Sequence, residues 1–426
     1  MRISLAGGRI AAIDPGVPPL PDDDRCATLL PGMPNLHSHA FQRLMAGLAE
    51  TRTGPAGDDF WGWRTLMYRL VGSITPDDLA AIAAMAFCEM VESGFTRVGE
   101  FQYLHHQPDG RPYADPAAMA AALAQAAEAT GIALTLLPVF YAHAGFGGTP
   151  PQDGQRRFVT GLDEFATLLD ASRRAVATLG DAVVGVAPHS LRAVTPEELA
   201  LLATMAPDAP LHLHIAEQRR EVADCIAWSG QRPVDWLLSH HAVDARWCLV
   251  HATHVTAQEC SALAASGATV GLCPVTEANL GDGIFPAAAF VGAGGRFGIG
   301  SDSNVRIDLA EELRLLEYGQ RLTLERRAVL VAGVVERADD VQRGTGRRPC
   351  GAGRGPANCG RRACRSGRAA PRPRDAGDRA LDGWIFARGS VERVWRAGRE
   401  VVRDGRHTAR DAIEAGFADV LRRRLP

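Results

Sequence analysis

The run Asn35-Leu36-His37-Ser38-His39 ends a β-rich stretch with two histidines two positions apart. Side chains alternate across a strand, so His37 and His39 share a face and can converge on one cation. The run His212-Leu213-His214-Ile215-Ala216-Glu217 repeats the pattern. His214 is nearer the end of its run and reads as a ligand, whereas His212 reads as an interior histidine. Two more runs end in Leu249-Val250-His251 and Gly300-Ser301-Asp302-Ser303. Taken singly, such a histidine is ordinarily a hydrogen-bonded rim residue, and an aspartate in GSDSN a turn or helix cap. Together, four histidines and an aspartate at the ends of separate strands point to a metal centre.

The chain contains no lysine; all 46 basic residues are arginine. A carboxylated lysine bridging two metals is therefore excluded, and one divalent metal is expected. Three imidazoles and a carboxylate suit Zn²⁺ first and Fe²⁺ second, with water in the open position. Such a cation brings the pKa of its water from about 15.7 toward about 7. Glu217 can then shuttle a proton to a leaving nitrogen, Asp302 can take the water proton, and His251 can hold the oxygen or polarise the electrophile. The alternative for Glu217 is an acid in the first turn of the following helix.

The elements that must position these groups are short apolar runs at 29–37, 96–101, 133–140, 183–189, 211–216, 247–252, 269–275 and 296–302, separated by Ala/Leu-rich stretches of helical period. Thr75-Pro76-Asp77-Asp78, Thr195-Pro196-Glu197-Glu198 and Thr256-Ala257-Gln258-Glu259 carry capping-box signals, and Gly94 and Gly267 mark helix ends. Eight strands alternating with helices predict a parallel (β/α)₈ TIM barrel of α/β class over residues 29–333, with its site at the strand C-termini. A doubly wound open sheet competes, but no strand is followed by a GxGxxG or phosphate-binding loop. RISLAGGRIAAID, within residues 1–28, and VERVWRAGREVVRDG, within residues 381–426, read as hairpins that together make a small β lobe, with a terminal helix after them.

Residues 334–380 break the rhythm. Positions 341–375 hold ten Arg, seven Gly, four Pro and three Cys, with Val341 the only branched aliphatic residue. Such a segment cannot bury enough apolar area to offset its ordering entropy. It reads as an Arg/Gly-rich linker without regular structure, or as an out-of-frame translation of GC-rich coding sequence. The expected consequence is loss of the last barrel helix and part of the lobe, leaving the eighth strand poorly covered and the protein prone to aggregate.

Net charge is −3 with 22% charged residues, which argues against a nucleic-acid partner, a coiled coil and a disordered tail. No apolar run reaches membrane-spanning length. Nine irregularly spaced cysteines without a CxxC pair indicate neither a disulfide framework nor a thiolate zinc site, and the first residues lack a secretory apolar core, so a cytoplasmic location is expected. A homodimer is expected only on the general frequency of twofold oligomers.

The order HxH, HxxE, His and Asp resembles the amidohydrolase superfamily in its mononuclear deaminase branch. PGMPNLHSHAFQR at 31–43, FWGWR at 60–64, GEFQYLHH at 99–106, APHSLRAV at 187–194, HIAEQ at 214–218 and GIGSDSN at 298–304 are similar to the formiminoglutamate deiminase family within it. The resemblance covers roughly residues 30–330 and 381–407. It departs at 334–380 and in an N-terminal strand that the family carries ahead of this Met1. It implies that His37, His39, His214 and Asp302 hold the metal, that Glu217 and His251 act on water and substrate, and that Gln42, Arg64, Tyr103, His189 and Arg192 bind a small dicarboxylate. The implied reaction is hydrolysis of a formimino C=N with release of ammonia, in histidine degradation. Arginine forks suit carboxylates, although Arg64 and Arg192 read equally as surface arginines and Tyr103 as a packing aromatic. Glu100, His105, His106, His143 and His254 also lie near strand ends; Glu100 could orient a ligand or Arg64, and the four histidines are expected to be spectators. Two other functions stay open on the residues: deamination of a nitrogen heterocycle stacked on aromatics, and a noncatalytic barrel scaffold.

Overall fold

The stretch Ala133–Phe140, ALTLLPVF, is buried at every position. That is the pattern of a parallel strand covered on both faces, and it explains why the barrel runs are continuous rather than alternating. The computed structural model describes residues 1–48, 60–330, 363–367, 378–387 and 389–424.

An antiparallel hairpin, β1 (Arg2–Ala6) and β2 (Arg9–Asp14), opens the chain, followed by β3 (Leu30–Pro31). The barrel strands are β4 (Met33–Ser38), β5 (Phe95–Gln102), β6 (Ala133–Phe140), the split pair β7 (Val183–Val184) and β8 (Ala187–Pro188), β9 (Leu211–Ile215), β10 (Trp247–His251), β11 (Thr269–Leu272) and β12 (Arg296–Ile299). Parallel pairing runs β4-β5-β6-β7 and β9-β10-β11-β12, with β8 on β6. Parallel bridges Val186↔Leu211 and Ser190↔His214 join the two arcs on one side, and Ser38↔Asp302 joins them on the other. The ring therefore closes into the expected barrel. At that second seam a Cβ on Gly298 would lie 2.3 Å from Leu36 Cδ1, so only glycine lets β12 approach β4.

The helices begin where the sequence signals them. Thr75, Thr195 and Thr256 each form a capping box with Asp78, Glu198 and Glu259, and Gly94 and Gly267 end their helices in the left-handed conformation.

One expectation is corrected. The eighth strand is covered: the helix Leu309–Leu324 follows β12 and buries Leu309, Leu313 and Leu316. That helix lies wholly before residue 334, so the irregular segment does not remove it. The small β lobe forms from both ends of the chain, as expected, and is built of two antiparallel sheets. Among the described residues β1 and β2 pair only with each other, while β3 joins β13 (Ala363–Gly367), β14 (Ser390–Arg396), β15 (Arg399–Arg403) and β16 (Arg406–His407) in order β16-β15-β14-β13-β3. β13 takes the edge of β14 and brings Leu30–Pro31, not the hairpin, into the sheet. An Asp24–Arg393 ion pair at 2.8 Å ties the N-terminal region to it. The strand Ala363–Gly367 gives regular structure to part of 334–380; the rest, apart from the start of the helix Asp378–Phe386, lies outside the described residues. The helix Asp378–Phe386 leads into β14–β16 and the helix Arg410–Arg424. Among the described residues no helix is long and apolar enough to cross a membrane.

Candidate active site

β4 places His37 near its end and His39 just beyond it, at the barrel mouth, where they meet His214 from β9 and Asp302 just beyond β12. His37 Nε2 lies 3.1 Å from His39 Nε2 and 2.9 Å from His214 Nε2. Asp302 Oδ1 lies 3.4 Å from His37 Nε2 and 3.3 Å from His39 Nε2. All four residues are buried, and one donor atom from each falls within 4.8 Å of the others.

The protons decide what this cluster is. His39 Nδ1–H donates to Phe101 O at 2.9 Å, and His214 Nδ1–H donates to His189 O at 3.0 Å. Both Nε2 atoms therefore present lone pairs when the rings are neutral. Neutrality is enforced: burial, and then the neighbouring imidazoles, hold His37 and His214 well below the usual histidine range, and burial holds His39 below it. One proton on His37 Nε2 could not serve two imidazole lone pairs and a carboxylate at once. A cation fits where a proton does not, so these residues form a metal site.

The frame around the site spends many polar groups on holding it. Asp302 N–H donates to His37 O at 2.9 Å, and His39 N–H donates to Asp302 O at 2.9 Å. Asn35, Ser301, Asn304 and Ser38 link β4 to the segment after β12: Asn35 Nδ2 donates to Ser301 Oγ at 2.6 Å, Ser301 Oγ to Asn304 Oδ1 at 2.6 Å, and Asn304 Nδ2 to Ser38 Oγ at 3.1 Å. Glu100 accepts from Ala40 N–H at 2.7 Å, beside His39. Burial raises its carboxyl to about 8, against the hydrogen bonds from Ala40 and Ser38. Ala216, His251 and Asp302 adopt positive φ angles of 50°, 66° and 44°. Non-glycine residues in this region store strain, here at three strand ends that aim functional groups.

His251 stands against the metal cluster. Its Nε2 is 3.8 Å from Asp302 Oδ2 and 4.0 Å from Glu217 Oε1. Its Nδ1–H donates to Glu277 Oε1 at 3.3 Å. Burial alone would lower its pKa, but Glu217, Glu277 and Asp302 outweigh that and push it up to about 10. Burial raises Glu217, with His251 and Arg192 acting in the opposite direction. The backbone N–H groups of Ala216 and Glu217 both donate to the Glu221 carboxylate, at 3.0 and 3.2 Å, which sets the turn after β9.

A cavity open to solvent lies over these groups, and Gln42, Tyr103, His189 and Arg192 line it together with His39, His214, Glu217, His251 and Asp302. Gln42 Nε2 donates to Tyr103 OH at 3.0 Å, while Gln42 Oε1 is buried without a hydrogen-bond partner among the described residues. Arg192 Nε is likewise buried with no hydrogen-bond partner among the described residues. Arg64 belongs to the helix Phe60–Val71, whose Trp63, Met67 and Tyr68 reach the cavity, but its side chain lies outside the described residues. Arg157 holds that helix in place by donating to the carbonyls of Val71, Ile74 and His106.

The other histidines do local work. His105 Nε2–H donates to Val139 O at 2.7 Å, His106 pairs with Glu164 at 2.9 Å and His143 with Glu198 at 3.0 Å. His254 and His212 stand outside the metal cluster, and burial takes His212 down to about 3. The sequence reading missed Glu277, Glu221 and the Asn35–Ser301–Asn304 network. Glu277 had a findable signal: CPVTEAN spans the end of the seventh strand run and places an acid two residues beyond it.

The chain belongs to the amidohydrolase family, whose profile matches residues 28–332. Within it, a formimidoylglutamate deiminase from Pseudomonas aeruginosa is 49% identical over 403 residues, covering 92% of this chain and 88% of that protein. An 8-oxoguanine deaminase from the same organism is 30% identical over 308 residues, covering 70% and 64%. The crystal structure of an amidohydrolase from Brucella melitensis is 49% identical and superposes with a TM-score of 0.92, covering 100% of this chain and 96% of its own. A zinc complex of atrazine chlorohydrolase from Arthrobacter aurescens, 19% identical, shares the fold at a TM-score of 0.76, covering 98% and 94%.

Proposed function

We propose that this chain hydrolyses the formimino C=N bond of N-formimino-L-glutamate, yielding N-formyl-L-glutamate and ammonia in histidine degradation. The observation that carries the reading is Arg192: an unpaired, buried guanidinium nitrogen in the wall of the cavity that also contains His39, His214 and Asp302. A cation whose Nε has no hydrogen-bond partner among the described residues suits a carboxylate-bearing ligand. The identity to the Pseudomonas deiminase supports the same substrate.

His37, His39, His214 and Asp302 would hold the ion, with Zn²⁺ preferred by the donor set and Fe²⁺ second. When bound, a divalent cation supplies Lewis acidity and an activated water. Asp302 accepts the proton of the attacking water, and His251 orients its oxygen toward the formimino carbon. Glu217 delivers a proton to the departing nitrogen, so that ammonia leaves rather than an amide anion. Arg192 and Arg64 bind the two carboxylates, and Gln42, Tyr103 and His189 fix the intervening chain.

One observation favours a second reading. Trp63, Tyr68, Tyr103, Tyr141 and Phe158 also line the cavity and could flank a nitrogen heterocycle. Tyr103, however, meets Phe158 edge to face at 5.0 Å and His189 edge to face at 5.6 Å, so it is already engaged by protein rings. The deciding experiment is ammonia release from N-formimino-L-glutamate, guanine, cytosine and thioadenosine, with metal content measured on the same sample. Release from the formimino substrate alone supports the proposal; release from a heterocycle alone replaces it. Glu217→Gln should keep its metal and lose about 10²–10⁴-fold in kcat. His37→Ala should lose both metal and activity, whereas a scaffold would keep its function without the ion.

A further inference from the structure

Cys273 follows β11, is fully buried, and has no part in the reaction described above. Its Sγ, a ring nitrogen of His251 and a carboxylate oxygen of Asp302 lie within 4.8 Å of one another. The two oxygens of Asp302 face different partners. Oδ1 is 3.4 and 3.3 Å from the Nε2 atoms of His37 and His39, whereas Oδ2 is 3.8 Å from Nε2 of His251. A carboxylate in that position can bridge two cations.

The eighth strand is shaped to leave the thiol its place. A Cβ on Gly300 would lie 2.9 Å from Cys273 Sγ and 2.8 Å from His37 O. Any other residue there would force the thiol or the ligand strand to shift. The lysine-free sequence excludes the usual bridging group of a binuclear centre, but this sulfur, imidazole and carboxylate form a different donor set, softer than the first.

We infer that His251, Cys273 and Asp302 form a second cation site, specific for thiophilic divalent ions, that stops the reaction when it fills. Binding replaces the proton of the Cys273 thiol and the Nε2 proton of the His251 imidazolium by the metal and releases both to solvent; no oxidant or reductant is required. Hard ions such as Mg²⁺ are held poorly by this donor set. Inhibition follows because His251 and Asp302 then lose the freedom to act on water and its proton, and this consequence alone rests on the function proposed above.

The test uses the full-length enzyme loaded with one equivalent of zinc and titrated with Cd²⁺ or further Zn²⁺. Bound metal after desalting, the cadmium–thiolate charge-transfer absorbance and ammonia release are followed together. The wild type should take up a second equivalent, develop the absorbance and lose activity in parallel, with Mg²⁺ inert. Cys273→Ser should retain the first equivalent and basal activity, and bind the second roughly 10–100-fold more weakly, without the absorbance. Cys273→Ala serves if the serine variant does not fold, and Cys248→Ser, at a neighbouring buried thiol, should behave as wild type. A single equivalent in the wild type, or an undiminished second equivalent in Cys273→Ser, overturns the site. Metal uptake and absorbance are read without substrate, so an enzyme inactive on N-formimino-L-glutamate would sink the functional reading while leaving this one intact.

Discussion

Glu277 Oε1 receives the Nδ1–H of His251 at 3.3 Å and the backbone N–H of Cys273 at 3.0 Å. One carboxylate thus ties the end of the sixth barrel strand to the turn after the seventh. It also selects the face of the imidazole, because committing Nδ1 to Glu277 leaves Nε2 directed at Asp302 and Glu217. Glu277→Gln should leave metal content and KM close to wild type while lowering kcat about 10–100-fold, the cost usual for a partner that orients a functional histidine. Steady-state kinetics with metal analysis on the same preparation checks this. An unchanged kcat would mean that packing alone holds the ring.

His105 offers a test of acid stability away from the metal centre. Burial takes its pKa from 6.5 to about 4, with the hydrogen bond to Val139 opposing the shift. The folded protein therefore resists a proton that the unfolded chain accepts. Stability from this group is complete above the unfolded value and declines as pH falls from 6.5 toward about 4. The full loss is on the order of 3 kcal/mol. His105→Gln can keep a donor to Val139 O but cannot titrate. Urea unfolding of metal-free protein at about pH 7.5 and about pH 5 should show a smaller acid loss in the variant than in the wild type. Equal losses would assign acid sensitivity to other groups.

Asp78 joins the capping box of one helix to the end of another. It is 1% exposed, receives Thr75 N–H and Oγ1–H, and pairs with Arg424 at 2.6 Å and Arg423 at 3.0 Å. Asp78→Ala removes the carboxylate half of the capping box, leaves Arg424 without its acid and leaves Arg423 only Asp419, so a loss of about 2–4 kcal/mol is expected. Arg424→Met should cost less, since Arg423 and Thr75 remain. Denaturant midpoints of the two variants decide the order; a larger effect from Arg424→Met would contradict the assignment.

The metal centre was legible because its logic is local. His37 and His39 share a face by strand alternation, and His214, His251 and Asp302 each end a recognisable apolar run. The capping boxes at Thr75, Thr195 and Thr256 were legible for the same reason. What stayed hidden depends on closure. Asn35 and Ser301 are 266 residues apart and meet only at the seam of the barrel. Glu277 is an ordinary helix acid until β10 and β11 stand side by side. The lobe was legible from its hairpin signals, but its strand order was not: nothing local in RISLAGGRIAAID says which edge Leu30–Pro31 will meet.

The composition of residues 341–375 yields a prediction that needs only the gene. Ten of the chain's 46 arginines fall there, beside seven glycines and four prolines. Ala363–Gly367 nevertheless pairs with β3 and β14, through Cys364↔Leu30 and Cys364↔Val394. Ladder pairing needs only backbone donors and acceptors, so ACRSG can occupy a strand without the alternating apolar pattern that would hold it to a core. If the stretch is read out of frame, another frame across 334–380 should encode a Leu/Val-patterned continuation, with frame changes near both ends because patterned sequence resumes at Leu381-Asp382-Gly383-Trp384. Stop codons or equally patternless sequence in both other frames would refute it. A chain rebuilt in that frame should give a higher soluble yield at the same metal stoichiometry, because His37, His39, His214 and Asp302 all precede the altered segment.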